Sequence, residues 1–295
     1  MITLIIVLFM KLNSFFILII NLCIASNISG QTVNQVVNFA DQQFESGNYA
    51  IASKEYNRAF FFGYEKKDIL SLQIAHCYSQ LNNYELAAAF YDKAYLFSGF
   101  DSIKDEAILG KAYCLIIQQK YALAIGELFN FSDFPTMNQQ TQCHFLNAIA
   151  NYGMHQDSIA YTEFTEVVKL TTGNDSIAVA LQTEFDHVFK YNKRYNPKKY
   201  YIMSAFLPGS GQLAIGAFKE GVNSILLIAG LYFIAYKITG LYAFWDAAIA
   251  IFPWLQRYYT GGMDKSKELA QSKIESKRYE SYLKILELTS PDSYQ

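Results

Sequence analysis

The sequence predicts an all-α protein: a run of helical-hairpin repeats, then a transmembrane helical hairpin, then a C-terminal amphipathic helix. Three observations carry this expectation. Alanine returns at 40, 75, 112 and 148 and again at 52, 87, 124 and 160, with spacings of 35, 37 and 36 in both series. From Tyr200 to Gln256 the charged residues are Lys219, Glu220, Lys237 and Asp246 alone. Between these regions, Lys190, Lys193, Arg194, Lys198 and Lys199 fall within ten positions and mark a border between an acidic stretch and an apolar one. A period of about three dozen residues is the mark of stacked helix pairs, in which a small side chain recurs wherever two helices approach too closely for a longer one.

Composition bounds the rest. With 52% apolar and 16% aromatic residues in 295, the chain is not intrinsically disordered. A net charge of −2 gives no reason to expect nucleic acid, whose affinity depends on Lys and Arg. The segments expected are a signal peptide or N-terminal anchor over 1–30, repeats over 31–189, a basic linker over 190–199, a membrane hairpin module over 200–262, and a helix with its tail over 263–295. In the first segment Met10 and Lys11 precede the apolar run from Phe15 to Ala25, the pattern of an export signal, either cleaved or kept as an anchor. Asn21 and Leu22 before Cys23 lack the small residues that lipidation favours.

Within the repeats, Tyr49, Tyr84 and Tyr121 precede the second alanine by three positions, and Tyr56, Tyr91, Leu128 and Phe164 follow it by four. These residues, from Ala40 through Gly47-Asn48-Tyr49 to Ala52, Tyr56 and Ala59, and again from Ala75 to Ala94, resemble the tetratricopeptide repeat (TPR). The resemblance covers about residues 33 to 170. The third unit has Phe131 where alanine is usual, and the fourth has Asp157 in place of the tyrosine. Residues 175–189 read as a capping helix over the last apolar face.

What the resemblance implies is a groove lined by the first helix of each unit that binds a protein or peptide. Its residues would include Asp41 and Phe44, His76, Tyr113 and Ile116, and Ile149 and Tyr152. Clamps for a C-terminal carboxylate need Lys and Asn at such places, and this chain has none there, so an apolar, aromatic-lined groove is expected. Another helix of the same chain could fill that groove instead, and the charged helix from Asp264 to Leu288 is a candidate to dock there or on the membrane.

No cofactor and no metal site is expected. Cys77, Cys114 and Cys143 form no CxxC pair, and His76 and His144 read as core or surface residues rather than ligands. No hydrolase signature is present around Ser210.

In the apolar module, Gly221 to Tyr236 reads as one membrane span flanked by Lys219 and Lys237, and Leu241 to Leu255 as its return, with Tyr242, Trp245, Trp254, Tyr258 and Tyr259 as interfacial aromatics. Asp246 belongs near the turn side of the membrane or is a polar functional site. Ahead of the hairpin, Pro208, Gly209, Gly211 and Gln212 form a bend that no regular helix tolerates. This P-G-x-G-Q bend and Gly-punctuated hairpin resemble the small two-span membrane domains found behind TPR regions in Gram-negative envelope proteins.

The function expected is a non-enzymatic, membrane-anchored adaptor or scaffold in the cell envelope. It would sit in the inner membrane with its repeats in the periplasm. The positive-inside rule opposes that orientation and the signal segment favours it. One alternative is a structural subunit whose hairpin, through its Gly and Ala faces, forms homo- or hetero-oligomers or joins a transport or insertion complex. A further one is an intramembrane enzyme using Asp246 with Ser210 or Gln212.

Overall fold

The computed structural model describes residues 31–132, 135–240 and 244–290. The expected signal segment, Cys23 and Tyr242 lie outside them. The described residues are helical, with no strand among them, and they cluster into two compact units that divide between Pro135 and Thr136.

The first unit holds α1 (Val33–Glu45), α2 (Tyr49–Phe61), α3 (Lys67–Gln80), α4 (Tyr84–Phe97), α5 (Asp101–Ile117) and α6 (Tyr121–Leu128). The second holds α7 (Met137–Gly153), α8 (Asp157–Thr171), α9 (Asp175–Arg194), α10 (Pro197–Phe206), α11 (Ser210–Ile215), α12 (Phe218–Thr239) and α13 (Phe244–Thr289). Local chemistry sets the starts. Thr32 and Thr136 close capping boxes with Gln35 and Gln139. Asn196 caps α10 ahead of Pro197, whose missing N–H is no loss at a first helical position.

The 35, 37 and 36 spacing is written into the backbone as well as the core. All eight repeating alanines are 0% exposed. The turns between α1 and α2, α3 and α4, α5 and α6, and α7 and α8 each place one residue in the left-handed region: Gly47, Asn82, Gln119 and His155. Each donates its N–H to the carbonyl three residues back, while the next residue donates to the one five back, as in Gly47 to Phe44 and Asn48 to Gln43. The four helix pairs thus share one turn geometry at one spacing. Aromatic rings fill the space between helices. Tyr56 is buried and donates to Asp41 at 2.6 Å, and Tyr91 lies where a side chain at Gly110 would overlap its ring.

The third unit departs from the period for a visible reason. Helix α6 ends at Leu128, so Phe131 falls in the following loop, where buried Asp105 accepts from the Ser132 N–H at 3.1 Å and hydroxyl at 2.7 Å.

The basic stretch 190–199 is itself mostly helical: α9 runs to Arg194, its last-turn Lys193 and Arg194 at the negative end of the helix dipole, and α10 starts at Pro197. The return arm and the C-terminal helix are continuous across 262. α13 is one helix of 46 residues, about 69 Å long, and it continues through Pro253, which takes only a single hydrogen bond from its ladder.

α12 is the one described helix long and apolar enough to cross a membrane, its 22 residues spanning about 33 Å against a hydrocarbon core of about 30 Å. Of its residues only Gly221 and Ile228 are buried, whereas Leu226, Tyr232, Phe233 and Tyr236 are exposed. A core helix of a soluble protein would hide these side chains.

Candidate functional site

In the second unit the chain closes on itself. The C-terminal half of α13 lies against α8 and α9, and Ile285, 0% exposed, joins Phe164, Leu181, Phe185 and Val188 in the core there. Beside this apolar seat is a buried polar one. Arg278, 3% exposed, pairs with the Asp157 carboxylate. Its second amino group donates to the Tyr152 carbonyl at 2.6 Å, and the Tyr152 hydroxyl donates back to the Arg278 carbonyl at 2.8 Å. The guanidinium sits 4.3 Å over the Tyr152 ring, and Tyr282 stacks on that ring at 5.2 Å. Asn192 on α9 donates to the other Asp157 oxygen at 2.7 Å. Burial raises the Tyr152 phenol's pKa, with Arg278 opposing the shift.

The ion pair and its hydrogen bonds are buried together, which makes them expensive to break: removing one member of a buried ion pair leaves the other charge desolvated and alone. The first three units carry tyrosine where the fourth carries Asp157. The residue that weakens the repeat pattern is thus the one that receives Arg278.

A second polar cluster fixes the bend. Gly209 and Gly216 both take left-handed φ, +85° and +92°, which ends α10, allows the short α11 and starts α12. Gly209 meets the Gly221 backbone of α12 so closely that a Cβ would stand 2.5 Å from its carbonyl oxygen. Gln212, 1% exposed, accepts from the Ser204 hydroxyl at 2.9 Å and donates to the Gly262 carbonyl at 2.7 Å. Tyr259 donates to the Ala205 carbonyl, and Ser266 to that of Tyr200 at 3.1 Å. The bend is thereby bolted to the middle of α13, while Pro208 is half-buried beside it.

The expected site residues fall into separate places. Gly209, Gly211 and Gln212 come together in the bend. Asp246 does not join them: it is exposed at the start of α13, sixteen residues or about 24 Å along the helix from Gly262. An acid–hydroxyl pair of Asp246 with Ser210 is therefore not assembled, and the Ser210 hydroxyl instead donates to the Met203 carbonyl at 2.7 Å.

Of the groove residues, Tyr152 is covered by α13 and Ile149 is half-buried against the same cluster. Ile116 is 8% exposed. In the first unit Asp41 accepts from Tyr56, Phe44 meets Tyr49 edge-on, and His76 bridges Tyr91 and Glu106 at 3.1 Å each. Tyr113, 38% exposed, remains the most accessible aromatic of the set.

Burial pushes the Cys77 thiol up to about 12 and the Cys114 thiol up to about 11, so both are held as neutral thiols inside the helix pairs. His144 is held by Glu163 at 2.6 Å, which raises its pKa.

Arg278, Asn192 and Tyr282 had no signal in the sequence, since an arginine in an amphipathic helix reads as solvent-facing. Asp157 did have one, as the break in the tyrosine series. Compared with known proteins, the chain matches no family model, no curated protein and no solved structure.

Proposed function

We propose that this protein is a membrane-anchored tetratricopeptide-type scaffold of the cell envelope, without catalytic activity of its own, in which α12 and the apolar start of α13 form the anchor. The observation that carries the reading is the continuity of α13. One helix begins among exposed Trp245, Ile249 and Phe252 and ends in the seat around Arg278, so anchor and repeat helices share a single rod.

This seat narrows the partner surface. With Tyr152 covered in cis, an incoming protein or peptide is left the first-unit residues Asp41, Phe44, His76 and Tyr113. The seat also requires 152–192 and 278–289 to lie on one side of the bilayer, in keeping with a hairpin that crosses twice. We assign that side to the periplasm, following the signal-like 1–30, with the anchor in the inner membrane.

Reporters fused after Asn174 and after Ser290 should read the same, periplasmic, side; opposite sides would defeat the two-crossing arrangement. A photoreactive residue at Tyr113 should give a discrete adduct in native membranes, competed by excess of the untagged chain, whereas one at exposed Leu96 should not. Equal adducts from both positions would remove the groove role and favour a purely structural subunit.

A further inference from the structure

We infer that the foot of the membrane hairpin is a binding site for a phosphoethanolamine lipid headgroup; the inference rests on the membrane reading of α12. A cleft of about 450 Å³ opens between α12 and α13 at the end where α12 begins. Its walls carry both signs of charge, Glu220 from α12 against Arg257 and Lys265 from α13, with Asn223 and Ser224 between them. Lys265 also reaches Glu268 at 3.0 Å on the rim. Among the described residues Glu220 and Arg257 make no ion pair within 4.0 Å, although both line this one cleft.

The depth is right for a headgroup. Glu220 is the third residue of α12, and immediately beyond it Val222, Ile225 and Leu226 are exposed along the apolar span, so the charges stand where hydrocarbon gives way to the polar layer. Leu227 lines the cleft on its apolar side, as the glycerol and first methylenes of a lipid require.

A glycine keeps the cleft open. A glycine inside a helix costs about 1 kcal/mol relative to alanine, and α13 carries two in succession. Packing explains Gly262, whose added Cβ would stand 2.9 Å from the Ser224 hydroxyl oxygen. Gly261 has no such neighbour: a Cβ there meets nothing within 4 Å, and the residue lines the cleft.

The ligand chemistry follows from the walls. The Arg257 fork and the Lys265 ammonium suit a phosphodiester, and the Glu220 carboxylate, with the Asn223 amide oxygen, accepts from a primary ammonium. A quaternary ammonium has no N–H to give, and an anionic glycerol headgroup leaves Glu220 unneutralised.

The test is native mass spectrometry of the detergent-purified full chain with equimolar phosphatidylethanolamine, phosphatidylcholine and phosphatidylglycerol of identical acyl chains. The ethanolamine lipid should be retained about fivefold over the other two, Glu220→Gln should erase its advantage over choline, and Arg257→Gln should lower retention about tenfold. Gly261→Leu should also lower it about tenfold with helix melting unchanged or raised, since leucine improves the helix while filling the cleft. Equal retention of all three lipids, or undiminished retention by Gly261→Leu, overturns the site. Saturation by soluble glycerophosphoethanolamine at the same concentration overturns the lipid as its source. Flotation with phosphatidylcholine vesicles separates the two readings: a chain that floats but shows no headgroup preference keeps its membrane anchor and loses the site, and a chain that does not float loses both.

Discussion

The first three helix pairs and the fourth are built on one turn and one pair of alanines, yet they close differently. In the first unit the space beside each pair is filled by rings and small residues, as with Tyr91 on Gly110. In the fourth pair Asp157, at the position held by Tyr49, Tyr84 and Tyr121 in the other three, binds Arg278, 121 residues away in sequence. A repeat specifies its neighbours by shape, which any copy can offer. Holding one particular distant helix in one register calls for a directional group, and a buried arginine bonded to Asp157 and to the Tyr152 carbonyl supplies it, a role attested for buried polar groups elsewhere.

Breaking that directional contact should have the largest effect. Arg278→Ala strands the Asp157 carboxylate and should cost the second unit about 3–5 kcal/mol, read as loss of amide-exchange protection over 278–289. Asp157→Tyr alone, which restores the repeat residue, should destabilise as well, because it strands Arg278. Combining it with Arg278→Leu should recover much of the loss. Failure of that rescue would mean that the seat depends on the ion pair itself and not on filling its volume.

The shape-based side of the comparison predicts a smaller effect in the first unit. Gly110→Ala forces Tyr91 to move and should cost about 1–3 kcal/mol, measured by thermal unfolding. Ile285→Ala, on the apolar half of the seat, should cost about 2–4 kcal/mol, between the two.

Why the first three pairs were legible and the seat was not follows from these same residues. Alanines buried at 0%, left-handed turn residues and the P-G-x-G-Q bend are local or periodic demands, and such demands leave a trace at fixed spacing. The bond between Asp157 and Arg278 has no period. The single length of α13 was hidden because its apolar start and its charged end read as two segments, Leu241 to Leu255 and Asp264 to Leu288, with nothing periodic to join them. The charged C-terminal helix was a candidate to dock on the repeats, and Tyr282 of that helix stacks on Tyr152 at 5.2 Å.

A pH effect sharpens the comparison within the second unit, where charge is used twice. The hydrogen bond from His144 to Glu163 raises the imidazole's pKa above its ordinary value of about 6.5, so its stabilising contribution is complete below that value and is lost as pH rises through the raised one. Being part-exposed, the pair should contribute less than about 1 kcal/mol. Glu163→Gln should flatten this segment of the stability–pH curve; an unchanged curve would remove the pair from the account. The smallest change expected is at the shared turn. His155→Gly relieves a left-handed histidine at the entropic cost of glycine, a net gain of about 0.5 kcal/mol, while Asn82→Gly should be nearly neutral.

The most direct test of the seat is a double-mutant cycle of Asp157→Asn and Arg278→Gln in the full chain, read by amide exchange of residues 278–289. A side-chain pair that holds α13 in cis predicts a coupling of at least about 1.5 kcal/mol, with the double variant far less destabilised than the two single changes added together. Strictly additive effects would contradict it, and would leave α13 resting on its apolar face alone.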